Sequence, residues 1–513
     1  MFLFTMKCVV LIPVFLILHI FLGISRAEDT RTFRAAVYEH ALYLPPDRKI
    51  PVTRATALSA MMRNLRVYKE QTELAASEGA DIIVFPEDGV YGMGFSWEGI
   101  TSYMEYIPDP GEVTWDACGD PFRYPNTEVQ HFLSFLAKNN TIYLVANIGD
   151  LQPCDNRTDT RCPKVGHYQF NTDVVYNPQG QLVAKYHKVN LFYESQFSFP
   201  AKKTPVIFET PFGTFTVFTC FDILFYDPAM AAIELNGVGN VIFPTAWKDA
   251  LPLLSSIQFH SAFAAGLGIN LLSANINFPS YNFHGSGIYT PDGASTFYYS
   301  GASNVGKLMI SDIPIIFKPT LRNSNVTFDV AFPSPAFTAD VFHDPFHFVP
   351  LLGDSGMVGV CHNGLCCRAN YSLRTTSDDV IALGAFRGLH TYEGEYDIEV
   401  CVILKCKTSN YSSCGEATKE SDIFLTYLKI EGNFSVPYIF PEILLSNNGS
   451  LHLGPVGSWN YVAGTLESKH GFDFPVLSTG MFARVYGSDV AFVCPCAVLV
   501  MVTCIVTIMW TSV

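Results

Sequence analysis

Three residues able to do chemistry together stand at the ends of three apolar runs. Cys220 closes the alternating stretch GTFTVFTC that begins at Gly213, Glu87 follows DIIVFP from Asp81, and Lys188 ends AKYHK. A thiol where a strand gives way to a turn projects from the sheet edge, near backbone N–H groups that can hold an oxyanion and favour the thiolate. Phe221-Asp222 break the alternation and a short helix is expected from Pro228, which puts Cys220 at such a turn. Taken singly, each residue has an ordinary role: Cys220 as a core thiol, Glu87 as a helix or turn cap, Lys188 as an exposed strand end. Strand ends are where a layered sheet presents reactive groups, so the three are expected to converge around a thiol nucleophile.

The elements that must position them follow from periodicity. TFRAAVYEHA from Thr32, DIIVFP from Asp81, TIYLVANIG from Thr141, NVIFP from Asn240 and INLLSANI from Ile269 read as strands, several of them apolar without alternation, as in a sheet covered on its faces. Helical spacing runs through Thr56 to Glu78 and Glu128 to Lys138, and a further helix is expected with Pro252 in its first turn. Between them YQFNTDVVYNPQGQLVAKYHK reads as a hairpin turning at Asn177-Pro178-Gln179-Gly180, and Phe208 to Cys220 extends the same mixed sheet. The result is a layered α/β domain over 28–310. Residues 311–340, rich in Pro, Asn, Ser and Thr, read as a linker, and 341–487 as a smaller, mostly β second domain. With 513 residues the chain exceeds the size of a single core.

Charge and termini set the compartment. A formal net charge of -15 leaves no basic face for nucleic acid. Residues 1–27, with Lys7, an apolar run and Ser25-Arg26-Ala27, read as a signal peptide. Seven sequons follow, at Asn139, Asn156, Asn325, Asn370, Asn410, Asn433 and Asn448. The apolar run at 488–513 has no basic stop after it, which reads as the removable signal of a glycolipid anchor rather than a transmembrane helix, with Gly487-Ser488-Asp489 or Ser478-Thr479-Gly480 as attachment sites. The expected location is therefore the cell surface, with a secreted form as the alternative. Of 14 cysteines, Cys8 lies in the leader and Cys494, Cys496 and Cys504 in the tail. In an oxidising compartment Cys154 and Cys162 are expected to pair, and Cys361, Cys366, Cys367, Cys401, Cys406 and Cys414 to form a disulfide-rich set, with a zinc site as the alternative. Cys118 is then the odd one out. His343 and His347 have a metal-ligand spacing, but Asp344-Pro345 between them argues for a loop without metal.

These segments, in this order, resemble the nitrilase superfamily of carbon-nitrogen hydrolases. The likeness extends to the vanin (pantetheinase) and biotinidase family in AAVYEHA, PEDGVYG, YHKVNLF, FTCFDILFYDPA, FPTAW, LGAFRGLHT and NFSVPYIFPE. It covers most of the mature chain and implies an αββα domain followed by a smaller β domain. It also implies Glu87 as proton acceptor, Lys188 as proton donor and oxyanion stabiliser, and Cys220 as the nucleophile of an amidase acting through a thioester, with no metal or organic cofactor. Pantetheine is the expected substrate; biocytin and a catalytically silent adhesion or signalling protein are the alternatives. The family pattern implies a cysteine partner for Cys118 where this chain has Phe135. Trp247, after FPTAW, is a candidate pocket residue whose ordinary role is packing.

Overall fold

The computed structural model describes residues 31–487 apart from 322, 330, 331 and 376. The expected signal peptide and the 488–513 tail lie outside the described residues. Twelve strands build the first part: β1 (Thr32–Ala41), β2 (Ile82–Val84), β3 (Tyr143–Pro153), β4 (His167–Tyr176), β5 (Leu182–His187), β6 (Val206–Thr210), β7 (Gly213–Val217), β8 (Asn240–Thr245), β9 (Asn270–Asn277), β10 (Ser286–Thr290), β11 (Gly293–Tyr298) and β12 (Lys307–Pro314). They form two leaves, β12-β1-β2-β3-β4-β5 and β11-β10-β9-β8-β7-β6, joined where His40-Ala41 of β1 pair with Ile276-Asn277 of β9. β2 shows why the strands read as unbroken apolar runs. Ile83 points at the helices Arg54–Ser77 and Glu128–Asn140, packing with Ala36, Leu65 and Leu133, while Ile82 and Val84 join Val37 and Val145 between the leaves. Phe33 and Phe215, 5.4 Å apart between ring centres, join the leaves across that inner layer. The helices Tyr226–Leu235 and Ser256–Leu267 cover the second leaf, completing the αββα order.

Three boundaries differ from the expectation. The helix after residue 250 starts at Ser256, not at Pro252, because Asp249 Oδ1 accepts from Ser256 N at 3.1 Å and fixes the first turn there. The expected linker gives up both its ends: 311–314 belong to β12, paired with β1 and burying Ile313, and 337–340 belong to the strand Phe337–Val341. The helix near Pro228 spans Tyr226–Leu235 and is π-type, but Asp227 has an extended ψ of 125°, so regular turns begin at Pro228.

The second part is a β sandwich of a seven-stranded and a five-stranded sheet. In the strand Tyr396–Lys405, Cys401 and Ile403 face the sandwich core, while Val400, Val402 and Leu404 face the first part. Cys367–Cys401 staples the two sheets, Cys361–Cys366 closes a hairpin, Cys406–Cys414 closes a loop, and Cys154–Cys162 sits in the first part. Cys118 is free and half-buried. The helix Ser256–Leu267 is buried almost all round because it is enclosed on one side by the second leaf and on the other by the seven-stranded sheet. Its Gly266 lies so close to Ile439 that a Cβ there would strike the Ile439 backbone.

Six sequon asparagines are exposed, but Asn433 is half-buried, accepting from Cys366 N at 2.6 Å and donating to Gly364 O at 3.3 Å. A glycan on its Nδ2 would displace the second bond. Ser478 and Thr479 are buried in the last strand, Val476–Val485, so cutting there would remove residues that pair with Asp397 to Val402. Of the two expected attachment sites, only Gly487-Ser488-Asp489 leaves that strand whole.

Glu442 faces the enclosed helix, and burial pushes its carboxyl up to about 8, with the nearby Ser261 hydroxyl and a hydrogen bond from Ile443 N at 2.8 Å acting the other way. A carboxyl whose folded-state value is raised keeps its proton longer when folded, so its contribution to stability falls as pH rises from the ordinary carboxylate range through about 8. Glu442→Gln keeps a neutral side chain of the same shape. It is expected to melt close to the wild type at pH 5 and above it at pH 8. Equal destabilisation at both values would contradict this.

Candidate active site

Each of the three residues leaves a strand end and turns inward. Glu87 follows β2 beyond the buried Phe85, Lys188 follows β5, and Cys220 opens a tight turn, Cys220–Leu224, three residues after β7. All three are buried, Glu87 at 1 %, Lys188 at 2 % and Cys220 at 6 % exposure. Lys188 Nζ donates to Glu87 Oε1 at 2.6 Å and to Glu194 Oε2 at 2.5 Å, which leaves one of its three N–H bonds for a ligand. Glu87 Oε1 also accepts from Asn171 Nδ2 at 2.8 Å, and Oε2 from Ala246 N at 2.8 Å at the end of β8.

The turn that carries the thiol is strained and tightly fastened. Cys220 has φ 48, a left-handed conformation that a non-glycine residue keeps only when its surroundings enforce it. Thr219 and Asp222 cap each other across the start of the turn. The Asp222 carboxylate also accepts from Tyr186 at 2.6 Å and from Asn190 N and Nδ2, both at 2.8 Å. Thr219 Oγ1 donates to Asp173 Oδ2 at 2.6 Å.

Electrostatics follow from burial. Burial, and then the Glu87 carboxylate, push the Cys220 thiol well above the usual cysteine range, and Lys188 opposes them. Cys220 thus rests as a neutral thiol, which would have to hand its proton to a neighbour in order to act as a nucleophile. Burial works against the Lys188 ammonium, but Glu194 and Glu87 outweigh it and hold it charged well above the ordinary lysine range. Burial and Glu87 raise Glu194, with Lys188 opposing.

Sequence reasoning passed over Glu194, Asn171, Asn147 and Asp173. Asn171 Nδ2 bridges both glutamates, at 2.8 Å from Glu87 and 2.7 Å from Glu194. Asn147 Nδ2 holds Asn171 Oδ1 at 2.6 Å and Asp173 Oδ1 at 2.8 Å, so one chain of hydrogen bonds runs from the glutamates to Thr219 beside the thiol. The signal was present: Asn147 in YLVANIGD and Asn171-Thr172-Asp173 in YQFNTDVV place polar side chains where the strand pattern demands burial.

The thiol opens into a cavity of about 230 Å³ with aromatic walls. Phe192 and Trp247 line it from the first part, Phe342, His390 and Tyr396 from the second. Trp247 fills both of its expected roles, since it also stacks on Phe259 at 5.6 Å and donates to Leu254 O at 3.0 Å. At the mouth Lys248 Nζ and Glu393 Oε1 stand 3.8 Å apart, one from each part. Gly394, φ 146, permits the close approach, since a Cβ there would come within 2.9 Å of the Phe221 ring. His343 does not meet His347: it sits at a hairpin tip against Tyr392, while His347 packs on His362.

Residues 49–266 match the family model of carbon-nitrogen hydrolases and residues 336–489 that of the vanin C-terminal domain. Over 474 residues the chain is 45% identical to a pantetheinase of Mus musculus, covering 91% of this chain and 92% of that protein. It is 44% identical to a pantetheinase of Homo sapiens over 474 residues, 91% of each. A biotinidase of Takifugu rubripes is 40% identical over 458 residues, 84% of this chain and 90% of that one. Among solved structures, an amidase from Nesterenkonia sp. covers 56% of this chain and 91% of its own at 19% identity, with a TM-score of 0.38.

Proposed function

Since this chain belongs to the pantetheinase and biotinidase family of carbon-nitrogen hydrolases, enzymes that cleave amides, we propose that it hydrolyses pantetheine to pantothenate and cysteamine with Cys220 as nucleophile. The observation that carries the reading is the buried Glu87–Lys188 pair, both members of which act electrostatically on Cys220, next to a left-handed Cys220 whose thiol lines an aromatic cavity. As the Cys220 sulfur bonds to the amide carbonyl carbon, its proton passes to Glu87. The carbonyl oxygen becomes an oxyanion, held by the remaining N–H of Lys188 and by the Phe221 N–H at the start of the turn. The C–N bond then breaks, Glu87 returns the proton to the nitrogen, and cysteamine leaves a thioester on Cys220. Water attacks that thioester, giving its proton to Glu87. The C–S bond breaks, the thiol recovers the proton, and pantothenate departs. Glu194 and Asn171 keep Lys188 and Glu87 in register.

Greater identity to pantetheinases than to biotinidases supports pantetheine. One observation favours biocytin: Lys248 and Glu393 offer a cation and an anion side by side at the mouth, which would match the amino-acid end of the lysine that biocytin releases. A silent scaffold has no use for a complete Glu87, Lys188 and Cys220 set. Turnover of both amides by the purified protein decides among these. Pantetheine is expected to be cleaved with the higher kcat/KM, and biocytin turned over as fast or faster would overturn the choice.

A further inference from the structure

The nucleophile turn is fastened at its two ends by different parts of the chain. Its start is held within the first part by the Thr219–Asp222 box, Tyr186 and Asn190. Its end is the carbonyl of the buried Leu224, and the donor that reaches it is Arg484 Nε at 2.7 Å, from the last strand of the second part and 260 positions away. Arg484 is fully buried. Its Nη1 donates to Asp397 O, and its guanidinium lies over the rings of Tyr396 at 4.7 Å and Tyr486 at 4.9 Å. Tyr396 is itself a wall of the cavity into which Cys220 opens. A planar guanidinium held between two rings has one orientation, and here that orientation aims Nε at the Leu224 carbonyl.

We infer that Arg484 is a positioning residue for catalysis: it acts as a strut by which the second part holds the Cys220–Leu224 turn so that Cys220 keeps its left-handed, attack-ready conformation. A strained residue persists only where its surroundings over-determine it, and without Arg484 the far end of this turn has lost a fastening while its near end is unchanged. A shift of the thiol by about 1 Å relative to Lys188 and Glu87 can cost on the order of 10²-fold in rate without loosening substrate binding. The second part is then a working component of the amide site, beyond covering it. This inference rests on Cys220 being the nucleophile.

The test uses the full chain with Arg484→Met and Arg484→Lys. It measures kcat and KM on pantetheine, the melting temperature, and the rate at which iodoacetamide alkylates Cys220, read on the peptide that contains it. Arg484→Met is expected to lose roughly tenfold or more in kcat with KM nearly unchanged, and its Cys220 to be alkylated more slowly than in the native protein. Arg484→Lys, which keeps a cationic donor, is expected to recover part of both rates. Merely structural damage would instead expose the thiol and speed alkylation while kcat falls in step with melting temperature, and that pattern overturns the inference. So does a native kcat in Arg484→Met or, where that variant is not produced, in Arg484→Lys. Failure of the underlying reading looks different: Cys220→Ser would still hydrolyse the amide.

Discussion

Cys220→Ser is expected to lower amide hydrolysis by on the order of 10⁴-fold or more while leaving folding intact. The change is nearly isosteric, and the turn is fastened by Thr219, Asp222 and Arg484 rather than by the sulfur, so the site should keep its shape. What changes is the nucleophile. A serine hydroxyl is far less acidic than a thiol, so handing its proton to Glu87 as it attacks costs much more. A Cys220→Ser protein with native melting temperature and native kcat would remove Cys220 from the chemistry.

Glu87→Gln should cost about 10²–10⁴-fold at neutral pH, the range of a lost general base, and the form of its pH profile is the more searching result. In the native protein burial and Glu87 both raise the thiol, so the residue proposed to accept the proton is also one that keeps the thiol protonated until substrate arrives. Glutamine removes one of those upward pushes and leaves burial. The Cys220 thiol of the variant is therefore expected to ionise below its native value. Residual kcat/KM should climb as pH rises and solvent takes the proton that Glu87 no longer can. A flat profile, or native activity at pH 7, would show that Glu87 carries no proton.

The parts of this site that were legible in the sequence share a physical cause. Cys220, Glu87 and Lys188 each stand where an apolar run stops, and apolar runs report buried strands directly. The strands and most of their covering helices follow from the same periodicity, whereas the division into two leaves was implied by the family resemblance, since periodicity alone placed Phe208 to Cys220 in one mixed sheet. Glu194 was not legible, because it lies in FYESQF, a loop with neither period, and its role exists only through Lys188 and Asn171. Asn147 and Asn171 broke the strand pattern, but the pattern cannot say that they bridge two glutamates. The second part's share was hidden for another reason. Arg484, Gly394 and Tyr396 meet the Cys220 turn only after two domains pack, across separations that local propensity does not reach. The helix start at Ser256 was missed because Asp249, seven residues away, captures its first N–H before Pro252 can open a turn.

The central claim is that Cys220 carries the acyl half of the substrate during turnover. Acid-quenching the native protein during steady hydrolysis of pantetheine, followed by mass analysis of its peptides, tests this most directly. The account predicts a pantothenoyl group on the peptide containing Cys220, enriched in Glu87→Gln, where deacylation lacks its base, and absent in Cys220→Ser. Continued hydrolysis with Cys220 unmodified, or with the acyl group on another residue, would contradict it.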